Sequence, residues 1–370
     1  MVPQTTVNNV LFINKMKSIH SNLLCFLDSN DNIEENFEVL TDTLKDQKIG
    51  NSKQETKLVL MLLLRIVNNH HRCLDFYDKI KVILQHFQKE IINFFSNSEI
   101  FDIFKSDKRI LLYLIESKIL VFDDFVCKQI ITDEFIMAKY HLYFLPELKK
   151  FINKEWFPHN APWIHEINNE LQEDFFEKRK IGENDSIICE LIRKDLIDEF
   201  CYYIESNEID LDQKINLSIY ETNSFLIRNS ISNEIDLIHY SAFYGSKHIF
   251  LFLKNKGIEL DSTLWLYAIH GNNLNIIQVL KSNLIIPQDE TYTKCLIEAI
   301  ECHHNEIIVY IQKEILKKKE ISHDILVQTR KFYNFSFINS KTGINDLLNI
   351  EKNLDEQVSS SQTNAKRKRG

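Results

Sequence analysis

The sequence predicts an all-α fold in which a helical solenoid follows an N-terminal helical domain, and three observations support this prediction. The 370 residues include only 7 Gly and 5 Pro, whereas small all-β domains need both residue types at many tight turns. Apolar residues in the first part of the chain recur at helical spacing. A helical template then recurs in the second part, which is typical of repeat architectures.

Composition and charge argue against several classes of protein. The net charge of −9 argues against a broad nucleic-acid surface, which needs a basic face. The longest apolar run, Leu58–Leu64, is far shorter than the ~20 residues that span a bilayer, and no basic segment of a signal peptide precedes the first apolar residues. The seven scattered cysteines are therefore expected to be reduced thiols. We expect an intracellular, cytoplasmic protein without membrane association.

The N-terminal helical domain is predicted at residues 11–150, either as simple helices or as degenerate repeats, after a disordered N-terminus at residues 1–10. Leu58–Val67 is apolar on all sides and predicts a buried helix. The polar segment 40–56 predicts a loop. The clearest amphipathic helix carries one apolar stripe, formed by Ile80, Ile83, Leu84, Phe87, Ile91 and Phe94.

Residues 151–185 are predicted to form a connector and a polar helix. Pro158 and Pro162 lie four residues apart, and two prolines at this spacing stop a helix. The charged residues 166–185 predict a solvated helix that ends near Gly182. A domain boundary is therefore expected in this segment.

One template recurs five times along the chain. Two adjacent residues, nearly always apolar, are followed by an apolar residue three positions later and by another five positions after that. The first positions share one helix face, and the last lies beyond the helix end. The five matches begin at Ile110, Phe200, Ile249, Ile276 and Ile307. The last four predict repeats over residues 186–320.

The last three copies share two further features. Eight positions before each apolar pair there is a small residue, which lets a preceding helix pack closely against the template helix. These small residues are Ser241, Ala268 and Ala299. Four positions before each pair there is a residue type that adopts the left-handed turn at a helix end. These turn residues are Gly245, Asn272 and His303. Each unit is thus predicted to be helix, tight turn, helix.

Residues 236–245, DLIHYSAFYG, lie over the pattern T-P-L-H-x-A-A-x-x-G, and residues 249–257 lie over V-V-x-x-L-x-x-x-G. On these residues the chain resembles the ankyrin repeat. The T-P pair is missing, and uneven spacing of the copies predicts an insertion around Tyr220–Arg228 and a shortened turn before Thr263. Residues 188–311 also resemble a large set of paralogous protist ankyrin proteins that carry a domain of unknown function.

The resemblance implies an ankyrin-like helical solenoid with a concave face that binds a protein partner. In the ankyrin pattern, residues beside the small position of the first helix point into this concavity. The partner-binding residues implied here are Tyr240, Phe243, Tyr244, Tyr267, His270, Glu298 and Glu301. The alternative is that the aromatic residues among them pack under the preceding turn or the N-terminal domain.

No catalytic, cofactor or metal site is predicted. Cys302-His303-His304 and His70-His71-x-Cys73 contain metal-ligating residue types. Zinc sites usually combine pairs of ligands spaced two to four apart, however, and three consecutive residues at a helix end point in different directions. The sequence contains no G-x-S-x-G, P-loop or kinase motif. An enzyme or metal-binding protein with a site in the N-terminal domain remains the alternative to a non-catalytic adaptor or scaffold.

The C-terminal part is predicted to be a capping segment at residues 321–350 and a disordered basic tail at residues 351–370. The tail lacks apolar residues to bury. It ends in a basic run, Lys366, Arg367, Lys368 and Arg369, which fits a short nuclear-import signal, a solvated tail or an arm that contacts phosphate. A nuclear-imported, chromatin-associated factor is therefore a further alternative.

Overall fold

Helices provide nearly all regular structure in the computed structural model, which describes residues 4–73, 75–132, 139–317 and 323–338. The first part of the chain is a series of helices between 4 and 25 residues long. They are α1 (Gln4–Asp28), α2 (Ile33–Asp46), α3 (Lys53–Asn69), α4 (Phe76–His86), α5 (Gln88–Phe94), α6 (Asn97–Phe104), α7 (Lys108–Glu116), α8 (Asp124–Ile130), α9 (Tyr140–Tyr143) and α10 (Leu145–Leu148).

Three predictions for this part need correction. Helix α1 begins at Gln4, inside the segment predicted to be disordered, and α2 extends to Asp46, inside the predicted loop. The apolar stripe at residues 80–94 belongs to two helices that meet at Phe87. The helix breaks here because its two halves have different packing partners. Helix α4 packs against α1, and α5 packs against α3.

The buried helix predicted at Leu58–Val67 is confirmed within α3, where most of its apolar side chains are buried. Local signals set several of the helix starts. Ser96 and Glu99 form a reciprocal capping box at α6, and the Asp107 carboxylate accepts from the first backbone N–H groups of α7. Such caps satisfy backbone donors that a helix start leaves without partners.

The connector contains short 3₁₀ turns at Lys149–Phe151 and Ile164–Asn168 and one helix, α11 (Phe175–Ile181). The polar helix predicted at residues 166–185 is therefore shorter than expected. Its end is correct, because Gly182 closes α11 with a left-handed φ of 65°.

The second part of the chain consists of helix pairs and a small antiparallel sheet. Its helices are α12 (Ile187–Arg193), α13 (Ile197–Ser206), α14 (Ser224–Asn229), α15 (Leu237–Phe243), α16 (Lys247–Asn255), α17 (Leu264–His270), α18 (Leu274–Ser282), α19 (Thr293–Glu301), α20 (Asn305–Tyr310) and α21 (His323–Lys331). A π-helical turn, Ile311–Ile315, continues α20. Strands β1 (Lys214–Asn216) and β2 (Glu234–Asp236) pair with Ile215 opposite Ile235.

The helix pairs stack in chain order. The first helices α15, α17 and α19 pack side by side, and α13, α16 and α18 do the same behind them. The predicted turns are confirmed: Gly245, Asn272 and His303 have φ values of 66°, 49° and 59°. The predicted small residues Ser241, Ala268 and Ala299 are fully buried.

The described residues form two apolar clusters, which define two helical units. The N-terminal unit extends from Ile13 to Ile167, and the C-terminal unit extends from Ile188 to Phe332. After α21, which packs against α19, Phe335 and Ile338 return to the N-terminal cluster. We call the contact surface between the two units the junction.

Two further predictions can be compared with the structure only in part. None of the helices in the described part of the chain is long and apolar enough to span a bilayer. The basic tail, with Lys366, Arg367, Lys368 and Arg369, lies outside the described residues, as do residues 321–322 and 339–350 of the predicted capping segment.

Candidate functional site at the junction

The aromatic residues expected on an open concave face are covered. Tyr240, Phe243, Tyr267 and His270 are all buried. Helix α14, which belongs to the insertion predicted around Tyr220–Arg228, lies over them. Its Phe225 ring stacks on Phe243 at 5.7 Å and contacts the rings of His270 at 3.9 Å and Tyr267 at 5.0 Å. The expectation of exposure is therefore wrong for these side chains, and the alternative of intramolecular packing describes them.

The remaining predicted partner-binding residues also have internal contacts or are partly buried. The Tyr244 hydroxyl donates to Glu183 Oε2 at 2.7 Å, and His270 Nε2 lies 2.6 Å from Glu298 Oε1. Glu301 is partly buried, and burial together with the neighbouring Glu298 raises the pKa of its carboxyl group. Tyr244 and Glu298 therefore make hydrogen bonds inside the molecule.

A buried ionic network crosses the junction. Arg72, which follows α3, donates to Glu183 Oε1 at 2.9 Å and lies 3.7 Å from Glu221 Oε1. The Arg109 guanidinium stacks over the Tyr77 ring at 3.7 Å from its centroid and also lies 3.7 Å from Glu183. Burial opposes ionisation of Glu183, but the charges of Arg72 and Arg109 outweigh it and lower the carboxyl pKa.

This network borders a cavity of about 740 Å³ between the units. Cationic and anionic side chains both line it, among them Arg72, Arg193, Glu183 and Asp185. Among the described residues, five cationic and four anionic side chains line the cavity, so its walls have no large excess of one charge that would select a charged ligand.

A second concave feature is open to solvent on the C-terminal unit. This groove, about 350 Å³ in volume, runs between β2, the turn before α17 and the turn before α19. Ile231, Leu266 and Pro287 provide apolar lining. Of the seven predicted partner-binding residues, all of them described, Tyr267 is the one that lines it.

The groove is acidic. Among the described residues that line it, four carboxylates face two ammonium groups. The carboxylates belong to Glu234, Asp236, Asp261 and Asp289, and the ammonium groups belong to Lys214 and Lys294. His239 lies between Asp236 and Asp261 at 3.3 Å from each. Burial opposes protonation of His239, but the two neighbouring aspartates outweigh burial and raise its pKa.

Five histidines meet at another part of the junction. His20 Nε2 of α1 lies 2.9 Å from His303 Nδ1. His70, His71 and His304 form a second group, in which one nitrogen of each ring lies within 4.8 Å of the others. Asp28, the last residue of α1, lies 2.8 Å from His70 Nε2. Burial, reinforced by His70, lowers the pKa of His71 to about 4 and that of His304 well below its usual value.

The sequence motifs alone did not reveal this group. The expectation that Cys302, His303 and His304 point in different directions is confirmed: they face His270 and Glu298, His20, and His70 with His71, respectively. The spacing of the motifs could not show that the His70-His71 pair faces His304, because His71 and His304 lie 233 residues apart in the chain. The signal in the sequence was the presence of two histidine pairs, without any indication that they meet.

The fold and the junction define a two-unit helical protein in which stacked helix pairs are joined to an N-terminal helical unit through buried polar side chains. Comparisons of the chain with protein-family models, with curated proteins and with solved structures find no match.

Proposed function

We propose that the protein is a non-catalytic interaction module, an ankyrin-like solenoid that binds a partner protein in the acidic groove of its C-terminal unit. The observation that carries this proposal is the open groove formed by turns of successive helix pairs, with apolar lining and an excess of carboxylates. Repeat proteins use such surfaces, built from equivalent positions in neighbouring units, for binding.

The chemistry of the groove favours a basic, extended partner segment. Ile231, at the rim of the groove, is 71% exposed. Its apolar surface is unfavourable in water, so covering it with a partner stabilises the complex. Glu234 and Asp289 add negative charge that speeds association with a positive segment and fixes its register. The buried aromatic residues Tyr240 and Phe243 then act indirectly, by holding the helices that shape the groove.

The test compares two arginine substitutions in the full chain. Ile231→Arg places a bulky charge in the groove, whereas Tyr202→Arg changes an exposed side chain on α13, away from the groove lining. Each protein is expressed with a photo-crosslinking residue beside position 231, and bound proteins are quantified by mass spectrometry.

The expected result is a partner that crosslinks at the groove, is retained by Tyr202→Arg and is depleted at least ~10-fold by Ile231→Arg, a loss of about 1.4 kcal/mol in binding. If every copurifying protein binds both variants equally, the groove is not the binding surface and the proposal fails.

A further inference from the structure

Three imidazole rings from both units converge at the junction. His70 and His71 follow the end of α3, and His304 is the N-cap residue of α20. The ring centroids are 4.4 Å apart for His70 and His71, 4.8 Å for His70 and His304, and 5.2 Å for His71 and His304. We propose that His70, His71 and His304 bind a zinc ion that fastens the N-terminal unit to the C-terminal unit, with Asp28 beside them at the entrance.

The repeat pattern explains one ring nitrogen of His304, Nδ1, but not the other, Nε2. The residue after each turn donates a side-chain hydrogen bond to a backbone carbonyl of the preceding helix pair. Ser246 donates to Ile192 O, Asn273 Nδ2 to Gly245 O at 2.8 Å, and His304 Nδ1 lies 2.8 Å from Ile269 O. Serine or an amide is sufficient for this bond. Histidine makes the same bond and adds Nε2, which faces the N-terminal unit.

The rings of His70 and His304 are both buried, and both have the orientation that is typical of metal-bound histidines. His304 Nδ1 faces Ile269 O, and His70 Nδ1 lies 2.6 Å from Cys302 O. A carbonyl oxygen can only accept, so each Nδ1 carries the hydrogen and, in the neutral ring, Nε2 carries the lone pair. Metal-bound histidines typically donate their other N–H to a carbonyl or carboxylate in this way, which fixes the tautomer and the ring orientation.

The separations fit a tetrahedral ion after small side-chain rotations. His71 Nδ1 lies 3.2 Å from His304 Nε2. Zinc–nitrogen bonds of ~2.05 Å place two ligands of a tetrahedron about 3.3 Å apart. The other nitrogen separations lie within 4.8 Å, so the rings need to close by at most about 1.5 Å around the ion.

Asp28 lies at the entrance, beside His70 and His71. Its Oδ1 atom lies 2.8 Å from His70 Nε2 and 3.7 Å from His71 Nε2. The His71 side chain is 25% exposed and that of Asp28 is 42% exposed, so an ion reaches the buried rings from this side. Three imidazoles, with water in the fourth position, suit zinc, whereas magnesium and calcium prefer sets of oxygen ligands.

The other candidate group is less suited to an ion. His270, Glu298 and Cys302 also have potential ligand atoms within 4.8 Å of one another. His270 Nε2 is already paired with Glu298 at 2.6 Å, its ring lies between Phe225 and Phe243, and burial raises the pKa of the Cys302 thiol well above its usual value. Zinc binds the thiolate, so this cluster is a packed hydrogen-bonded group.

The competing explanation for the proposed site is a metal-free hydrogen-bond network. In that arrangement the His71 backbone N–H donates to His304 Nε2 at 3.4 Å, Asn272 Nδ2 donates to His71 Nδ1 at 3.4 Å, and His70 Nε2 pairs with the Asp28 carboxylate. The two explanations differ in a measurable way: the metal-free network has no affinity for zinc, and replacing the His304 ring with an amide leaves zinc binding unchanged.

The test uses the full chain without a histidine tag, dialysed against a chelator and titrated with zinc by calorimetry. His304→Asn is the decisive variant because asparagine makes the equivalent bond at position 273 but has no Nε2. His165→Ala removes an exposed histidine far from the group and is the matched control. The wild type and His165→Ala are expected to bind one zinc ion per chain, and His304→Asn to bind at least ~100-fold more weakly.

Two further measurements keep the result decisive. Cobalt added to the wild type should give the intense visible absorption of a tetrahedral site with nitrogen and oxygen donors, even if His304→Asn does not fold. Asp28→Asn, at the exposed side, should weaken zinc binding ~10-fold. The proposal is overturned if the wild type binds no zinc, if its cobalt complex is octahedral, or if folded His304→Asn binds zinc as tightly as the wild type.

Discussion

Replacing Glu183 with glutamine should destabilise the protein through the junction. The carboxylate accepts hydrogen bonds from Arg72 at 2.9 Å and from Tyr244 at 2.7 Å. The side chain of Arg72 is only 4% exposed. Glutamine keeps the shape of the side chain and one accepting oxygen, but it removes the charge that compensates the buried guanidinium.

The expected loss follows from the surroundings of Arg72. Removing one partner of a buried ion pair costs about 3–5 kcal/mol because the other charge stays buried. Glu221 lies 3.7 Å from Arg72, and burial together with Glu183 raises the pKa of its carboxyl group. In Glu183→Gln this repulsion disappears, so Glu221 ionises more easily and compensates part of the loss. We therefore expect a loss of about 3 kcal/mol, at the low end of the range.

Urea unfolding measures this loss. Trp156 and Trp163 report on the N-terminal unit and Trp265 on the C-terminal unit, so fluorescence follows both. With a denaturant dependence of ~2–3 kcal/mol per molar urea, the midpoint should fall by about 1 M or more. Glu177→Gln, an exposed neighbour on α11, should stay within ~0.5 kcal/mol of the wild type. An equally small change in Glu183→Gln would refute the reasoning.

Two other predictions concern the C-terminal unit. Gly271→Ala should lower the free energy of unfolding more than Gly257→Ala. At position 271 an added Cβ would collide with the backbone of Ala242 and Gly245. At position 257 it would meet no other atom, and only the left-handed φ of 97° opposes the substitution. We expect about 2–3 kcal/mol against about 1 kcal/mol, and equal losses in urea unfolding would contradict this difference. The raised pKa of His239 means that its charged contacts stabilise the fold fully below the unfolded pKa of about 6.5 and that this stability is lost as the pH rises through the folded pKa. The stability difference between the wild type and His239→Gln should therefore shrink from about pH 6 to about pH 9, and a constant difference would disprove the assignment.

The turns of the C-terminal unit were predictable because their determinants are local. Gly245, Asn272 and His303 are residue types that tolerate positive φ, and they lie at one offset from the apolar pairs. The small residues Ser241, Ala268 and Ala299 are buried, and they were predictable for the same reason, because they lie at a second fixed offset from the apolar pairs. Offsets within one helix pair are set by helix geometry, which a single sequence contains in full.

The covering of the concave face was not predictable from the same signals. The insertion around Tyr220–Arg228 was visible as uneven spacing, but the position of α14 over Phe243 and Tyr267 depends on long-range packing. The histidine group was missed for the same reason, since His70 and His304 lie in different units. Contacts between distant segments leave no periodic trace in the chain, so patterns identify such residues without showing what they face.

The distance along the chain between the two sides of the junction also has a consequence during synthesis. His70 meets the backbone of Cys302, 232 residues later in the chain. At roughly 5–20 residues per second, a ribosome needs about 10–50 s to make the intervening segment. During that time His70 Nδ1 lacks its carbonyl partner, whereas the Glu183 partner of Arg72 follows after only 111 residues, so the contacts of the junction become available in two stages.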